Sequence, residues 1–555
     1  MAFHDIVIVG SGFGGAVMAA RLGAYAKTLA SKPSVLVLEK GWDGSGSLDT
    51  RSDGGPVNAQ GNRFRHSLSP EYTSKVAQVF TDPRGTYQRN TPSMNVIAGK
   101  GLGGGSIVYD GVSLRAPTES FEEIRDGRRL WPSFYSRAAL NPYYAIVEEK
   151  LGVRRLAWTD AQAPHSQLAT KRDFVFAEGC RRIGATAAPL KLADGGDANE
   201  GWWNQGQRFS GRQDLTKNYL RDARDAGVLM WSGCEIESVA PTKDGYVVTG
   251  TDRRGGASVA FEIECRVLIV AGGAVGSSGL LLRSVDRFGD ARALDPANLL
   301  GKQVSANGDY GVSGIVGRQY EHDVEGHKGK PMSSFCPTFF GQHKFVIIPF
   351  YAAPLYLTVG GASTLLRPDK PGAVGRASSG IAKDASGKTE RDWGLAYKQR
   401  LASFGPRMLT MGCLAIDACE GEISLSRSGT GCDVSWRETS ARTEARWSAA
   451  ADAMRRIYEA LGGEMYLDAY RKDGTVSTAH PLGGCRMTER GDAAGVVDGC
   501  GESLRNRNLF VVDAAVIPSA LGVNPSLTIA AVAESIADRL IAGRGTESLA
   551  DRLSG

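Results

Sequence analysis

The chain has 555 residues, 42% hydrophobic and 23% charged, with nine cysteines and a formal net charge of +5. So small a charge, with no basic run, excludes nucleic-acid recognition through an electrostatic footprint. The scattered cysteines, without a C-x-x-C pair or a metal-like Cys/His cluster, favour reduced thiols over a disulfide framework.

The length points to two or three domains, or to one domain with large insertions. Residues 1–5 lead straight into an apolar strand, without the pattern of a secretory leader, and no apolar stretch approaches the 20 or so residues that span a bilayer. The expected location is the cytoplasm. Glycine is the compositional deviation, with 71 copies. Many lie in pairs and triplets beside apolar runs, where a missing Cβ lets backbone approach a large ligand.

In chain order, residues 5–9 (Asp-Ile-Val-Ile-Val) form an apolar run closed by Gly10, the pattern of a buried parallel strand. The spacing then predicts a helix over 16–29 and a second strand over 35–38, together a βαβ unit. Residues 43–95 are polar and read as a long loop excursion. Further strands are predicted over 267–270, running through Ala271, Gly272 and Gly273 into a helix over 277–282, and over 509–512, running through Asp513 towards a helix over 527–540. None of these units buries both faces of its strand alone. One parallel sheet of Rossmann type, assembled from separated segments, is therefore expected.

Between these units, residues 313–463 carry apolar runs such as 345–359 and a Gly/Ser/Lys-rich segment, 366–392, that reads as a mobile insertion. An amphipathic helix is predicted over 444–461, with Trp447, Met454, Ile457, Tyr458 and Leu461 on one face. The expected organisation is a discontinuous dinucleotide-binding α/β domain (1–116, 213–312 and 464–555) and a substrate-binding or cap domain of β-sheet and helices (117–212 and 313–463).

Three motifs carry chemistry. Gly10-Ser11-Gly12-Phe13-Gly14-Gly15 is a G-x-G-x-x-G between a strand and a helix. Gly10 permits the turn, Gly12 admits a pyrophosphate, Gly15 lets helix and strand pack, and the helix N-terminus offers N–H groups to phosphates. Glu39, at the end of the second strand, is placed to hold ribose hydroxyls. This motif by itself does not separate FAD from NAD. The second motif, Gly99-Lys100-Gly101-Leu102-Gly103-Gly104-Gly105-Ser106, reads either as backbone wrapped on a flat or phosphate-bearing ligand or as a solvent loop. The third pairs His480, in a Pro/Gly turn, with Asn524 before Pro525. His480 is either a structural imidazole or a base, and Asn524 either caps the following helix or touches substrate.

Taken together, segments 9–15, 101–106, 480–485, 508–518 and 522–529 resemble the glucose-methanol-choline (GMC) oxidoreductases, most of all the cholesterol oxidases among them. Segments 213–220 and 271–282 agree, whereas 313–463 shows little likeness. The resemblance implies a noncovalent FAD held by Gly10, Gly12, Phe13, Gly14, Gly15 and Glu39. It places Gly101, Gly103, Gly104, Gly105 and Ser106 along the cofactor and adds Ala271 and Gly272. Asp513 and Ala514 would touch the ribityl–pyrophosphate region, and Asn524 and Pro525 would lie near the flavin ring. It also implies that His480 and Asn524 face the reacting carbon of an alcohol. A base takes the hydroxyl proton while hydride leaves, and an amide N–H steadies the developing charge on oxygen. The implied partners are a bulky apolar alcohol, steroid- or terpenoid-like, and oxygen or another electron acceptor.

Two positions depart from the cholesterol oxidase pattern. Where those enzymes carry a cavity glutamate, this sequence offers Ile347 or Ile348. Where their glycine loop continues Asn-Gly, it has Tyr109-Asp110, read either as an added proton-transfer pair or as locally bonded residues. These departures leave room for a redox-neutral isomerase or lyase that binds FAD on the same fold. The run 345–359 reads either as a cavity wall or buried strand, or as a patch that makes transient membrane contact for a lipid-like substrate.

Overall fold

The computed structural model describes residues 2–44, 47–51, 93–158, 169–195, 211–254, 257–289, 291–326, 329–350, 405–427, 429, 431–468 and 475–554, together with residue 402 and the short strands 77–80, 382–383 and 389–390. The expected insertion at 366–392, apart from those two short strands, and the run beyond residue 350 lie outside the described residues.

Strand β1 (Ala2–Val9) buries its last four residues completely or nearly so and delivers the chain into helix α1 (Phe13–Ala26). Strand β2 (Val35–Leu38) returns parallel to β1. The helix begins three residues earlier than its apolar spacing suggests. Gly12 is its N-cap, and Gly14 and Gly15 sit in its first turn, where the backbone of other strands presses on them.

Beside β1 on its other edge runs a 12-residue strand, Val259–Val270, in parallel register from Ala2↔Ile263 to Val9↔Val270. Its far edge is divided between two partners. Residues 259–265 pair antiparallel with Tyr246–Asp252, and residues 268–270 pair parallel with Leu509–Val511. The strand Leu229–Trp231 closes the sheet beyond β2, and Cys234–Pro241 closes the opposite side as the outer strand of a hairpin. The expected parallel sheet from separated segments is thus present, with an antiparallel hairpin that the sequence reading did not anticipate. Helix Ser526–Ala542 packs against α1, and helix Gly273–Ser284 follows directly on the long strand.

A second sheet is antiparallel, in the order Phe345–Phe350, Met408–Ala415, Tyr310–Ile315, Glu464–Asp468. Helix Ala441–Ala460 lies on it and buries Trp447, Met454, Ile457 and Tyr458, the face anticipated from spacing. One of its strands, Tyr310–Ile315, straddles the boundary drawn from sequence after 312, and Glu464–Asp468 lies wholly beyond the boundary drawn before 464, in the segment assigned to the other domain. Phe345–Pro349 is buried, so this part of the apolar run is an interior strand. A third sheet joins Ser93–Gly99 to Thr475–Thr478 in parallel and to Ala77–Phe80 in antiparallel fashion, so the stretch 43–95 read as loop carries strand at 77–80 and again from 93. The last strand of this sheet ends two residues before His480. Among the described residues, no helix is long and apolar enough to cross a membrane.

Candidate active site

Four of the five parallel strands carry their most distinctive residues at one end of the sheet. Gly10 follows Val9, Glu39 follows Leu38, Ala271 and Gly272 follow Val270, and Asp513 follows shortly after Val511. In open α/β sheets ligands bind outside the carboxyl ends of parallel strands, so segments up to 500 residues apart converge on one crevice.

The glycines there divide into two groups. A Cβ on Gly10 would lie 2.2 Å from the Ala271 carbonyl oxygen, on Gly14 1.6 Å from that of Val512, and on Gly15 2.0 Å from that of Gly10. These three are required by the packing of the protein on itself. A Cβ on Gly12 would meet nothing closer than 3.9 Å, and one on Gly105 would enter open space. Neither is small for the protein's own sake, and both border room for a ligand. The N-terminus of α1 has no side-chain cap and no acid in its first turn, which leaves its N–H groups and partial positive charge for phosphate.

Ser11 ties this turn to the glycine loop. Its hydroxyl donates to Glu39 Oε2 (2.6 Å) and accepts from the Gly103 N–H (3.1 Å). Glu39 also accepts from the N–H groups of Ser11 and Gly41, and burial raises its carboxyl above the usual range. Gly103 and Gly104 have φ of 101° and 51°, and a Cβ on Gly104 would lie 2.6 Å from Gly12 Cα. Ser106 donates to the Gly103 carbonyl and accepts from the Leu215 N–H. Asp513 accepts from the N–H groups of Gly273 (2.8 Å) and Ala515 (2.7 Å) and from the Ser277 hydroxyl, and burial raises its carboxyl too. It therefore braces the two glycine- and alanine-rich turns beside the crevice. The Ala514 carbonyl accepts from the Gly483 N–H, which stitches the histidine-bearing turn to the same place.

His480 and Asn524, 44 residues apart, meet there. Asn524 Nδ2 lies 3.1 Å from His480 Nε2. On the other side of the ring, Nδ1 lies 2.9 Å from both carboxylate oxygens of Asp309. A carboxylate only accepts, so the proton sits on Nδ1 and Nε2 keeps a lone pair that receives the Asn524 amide hydrogen. Asp309 is held in turn by the Thr478 hydroxyl (2.7 Å) and the Ala479 N–H (3.2 Å). Burial pulls the imidazole towards its neutral form. The Asp309 charge and hydrogen bond, with a further contribution from Asp110, outweigh this and leave the His480 pKa raised.

Asn524 does not cap the helix that follows it. Pro525 is the N-cap and no side-chain bond is made there. The buried Asn524 Oδ1 has no hydrogen-bond partner among the described residues. A buried amide oxygen left so is an acceptor that a bound molecule or a water can satisfy, and together with the room at Gly12 and Gly105 it fits the expected flavin and substrate.

The Tyr109 hydroxyl donates to the Gln213 carbonyl, its ring packs edge-on against Phe13, and burial raises its pKa well above the usual phenol range. It is occupied locally, whereas Asp110 acts on His480 through its charge. Asp309 was missed by the sequence reading. The only local signal was the Asn307-Gly308 turn dipeptide, which marks a bend but not what the bend delivers.

The GMC oxidoreductase family pattern matches residues 4–306 in its N-terminal part and 420–533 in its C-terminal part. The chain belongs to the GMC oxidoreductases. It is accordingly an FAD-dependent enzyme of the alcohol oxidase or dehydrogenase kind. A protein similar to it is a long-chain-alcohol oxidase of Arabidopsis thaliana (FAO3), 23% identical over 97% of this chain and 67% of that protein. The chain thus spans about two thirds of the length of that relative. A cholesterol oxidase of Mycobacterium tuberculosis (strain H37Rv) is 26% identical over 96% of this chain and 90% of that one. Among solved structures, pyridoxine 4-oxidase from Mesorbium loti matches with a TM-score of 0.60 at 16% identity, covering 97% of this chain and 99% of that chain. A fungal aryl-alcohol oxidase matches with a TM-score of 0.59 at 15% identity and the same coverage. These two likenesses establish the GMC fold.

Proposed function

We propose that this GMC enzyme oxidises a bulky apolar alcohol, long-chain or steroid-like, with His480 as the base. The observation that carries this reading is the arrangement around the imidazole. Asp309 fixes the proton on Nδ1, and the Nε2 lone pair points at Asn524, beside an amide oxygen with no partner.

An alcohol oxygen entering between Nε2 and Asn524 meets an acceptor for its proton and an N–H donor for the charge that develops as the proton leaves. His480 Nε2 takes the proton, and the imidazolium so formed is stabilised by Asp309 at Nδ1. FAD, when bound, supplies the acceptor for the hydride. Gly12, Gly105, Glu39 and the N-terminus of α1 would hold its phosphate and ribose parts. The stretch 99–108 contains no histidine or cysteine to form a covalent link, which supports noncovalent attachment.

The apolar substrate class is supported by Ile347 and Ile348, both buried where a cavity carboxylate was sought. Two residues before Asn524, the backbone at Gly522 lies against the Phe340 and Ile416 side chains, so apolar groups stand close to the pair. The matched relatives are named for long-chain alcohols and for cholesterol.

The test is an anaerobic absorbance titration of flavin-loaded protein with hexadecan-1-ol, cholesterol, a terpene alcohol and ethanol. Bleaching of the flavin band by a bulky alcohol, abolished in His480→Gln that retains FAD, is expected. Bleaching by ethanol alone would overturn the substrate class. A flavin-loaded protein bleached by none of the four would turn the reading towards redox-neutral chemistry.

A further inference from the structure

His480 and Asn524 come from two chain segments, and a third segment touches both. Asp309, at one end of that third segment, holds His480. Two residues before it stands Asn307, fully buried, with a φ of 55°. Both ends of its amide bond the backbone leading to Asn524. Oδ1 accepts from the N–H groups of Leu521 (2.8 Å) and Gly522 (3.0 Å), and Nδ2 donates to the Val523 carbonyl (2.8 Å).

The turn bearing Asn307 is itself fixed from several sides. Asp417 accepts from the Gly308 N–H (2.8 Å) and the Ser305 hydroxyl (2.9 Å), and the Trp447 indole donates to the Gly308 carbonyl (3.1 Å). Ser305 and Leu482 exchange backbone hydrogen bonds, so the turn also lies against the segment of His480. The Asn524 side chain, by contrast, makes no cap bond, and among the described residues its one hydrogen bond is to His480 itself, so its position relative to that ring follows from where residues 521–523 are held.

We propose that Asn307 is a positioning residue for the active site: by gripping residues 521–523 it sets where the Asn524 amide lies relative to His480 Nε2. One rigid turn thereby places both members of the pair, His480 through Asp309 and Asn524 through Asn307. The proposal rests on the reading of His480 and Asn524 as the proton-handling pair.

The test follows the His480 ring directly, without substrate. The protein has seven histidines, so ¹³C-labelled histidine gives a countable NMR titration in which the His480 signal is the one lost in His480→Gln. The groups acting on that ring are Asp309, Asp110 and the neutral Asn524 amide. An amide N–H donated to Nε2 favours the neutral ring, so Asn524→Ala should move the midpoint upward. Asn307→Gly, which suits the positive φ while deleting the grip, should move it in the same direction. The double variant should move it no further than Asn524→Ala alone. Asn307→Ser, retaining one hydroxyl, should give a smaller shift of the same sign and replaces the glycine variant if that fails to fold.

In turnover of hexadecan-1-ol or cholesterol, Asn524→Ala should lower kcat on the order of 100-fold, and Asn307→Gly by roughly 10- to 100-fold. A midpoint unmoved by Asn307→Gly but moved by Asn524→Ala, or a double variant showing the sum of the two shifts, would overturn the proposal alone. A midpoint that Asn524→Ala also leaves in place would overturn the proposal and the pair it rests on.

Discussion

Asp309 offers a sharp test of how the base is held, because replacing it with Asn and with Ala should act differently. In the native site both Asp309 oxygens stand 2.9 Å from His480 Nδ1, while Thr478 and Ala479 donate to Oδ2. Neither partner is more than 20% exposed at the side chain, so solvent screens the pair only in part. A hydrogen bond to a charged group contributes about 1.5–3 kcal/mol and a neutral one about 1. Loss of the charge therefore costs the forming imidazolium on the order of 1–2 kcal/mol, or about 10-fold in kcat.

Asp309→Ala removes charge and orientation together, and a loss of about 10- to 100-fold is expected. Asp309→Asn should be worse. The donors at Thr478 and Ala479 keep its amide oxygen, which turns its NH2 towards Nδ1 and drives the ring proton to Nε2, where it blocks the base. The corresponding tautomer error in a Ser-His-Asp triad costs about 10⁴-fold.

The pH dependence has a definite sign. The Asp309 charge raises the His480 pKa against burial. Removing it in Asp309→Ala lets burial prevail, so the ring stays neutral to lower pH. The acidic limb of the kcat/KM profile should therefore move to lower pH while the plateau falls. The assay is steady-state turnover of flavin-loaded protein with an artificial electron acceptor, run from pH 5 to 9. Variants within threefold of the native enzyme, or an acidic limb that moves upward, would refute the role given to Asp309.

Two further outcomes are expected. Gly14→Ala places a methyl 1.6 Å from the Val512 carbonyl oxygen, forcing α1 off the Leu509–Val511 strand. Overpacking of this kind, with backbone as the obstacle, should cost about 3 kcal/mol or more in chemical denaturation, and retained flavin binding at native stability would contradict the packing described. Tyr109→Phe deletes only a hydroxyl already committed to the Gln213 carbonyl. Stability should fall by about 1 kcal/mol with kcat within threefold of native, and a 100-fold loss would show that the hydroxyl takes part in proton transfer.

What the sequence alone determined was what its local spacing encodes. The run ending at Val9, the glycines from Gly10 to Gly15 and the acid at Glu39 specify strand, turn, helix and strand because each pattern acts within a few residues. The helix face of Trp447, Met454, Ile457 and Tyr458 was legible for the same reason. His480 and Asn524 were found through the family resemblance, since nothing in their own neighbourhoods distinguished base from structural imidazole, or donor from helix cap.

Only the tertiary structure decided what surrounds them. Asp309 lies 171 residues from His480, and Asn307 more than 200 from the loop it grips. No period or turn signal reports a partner that packing brings in from so far along the chain. The same holds for the glycines. Spacing marks Gly12 and Gly14 alike, but only the positions of Val512 and Gly104 show that Gly14 is small for the sake of the protein's own backbone and that Gly12, whose Cβ would meet nothing closer than 3.9 Å, is not.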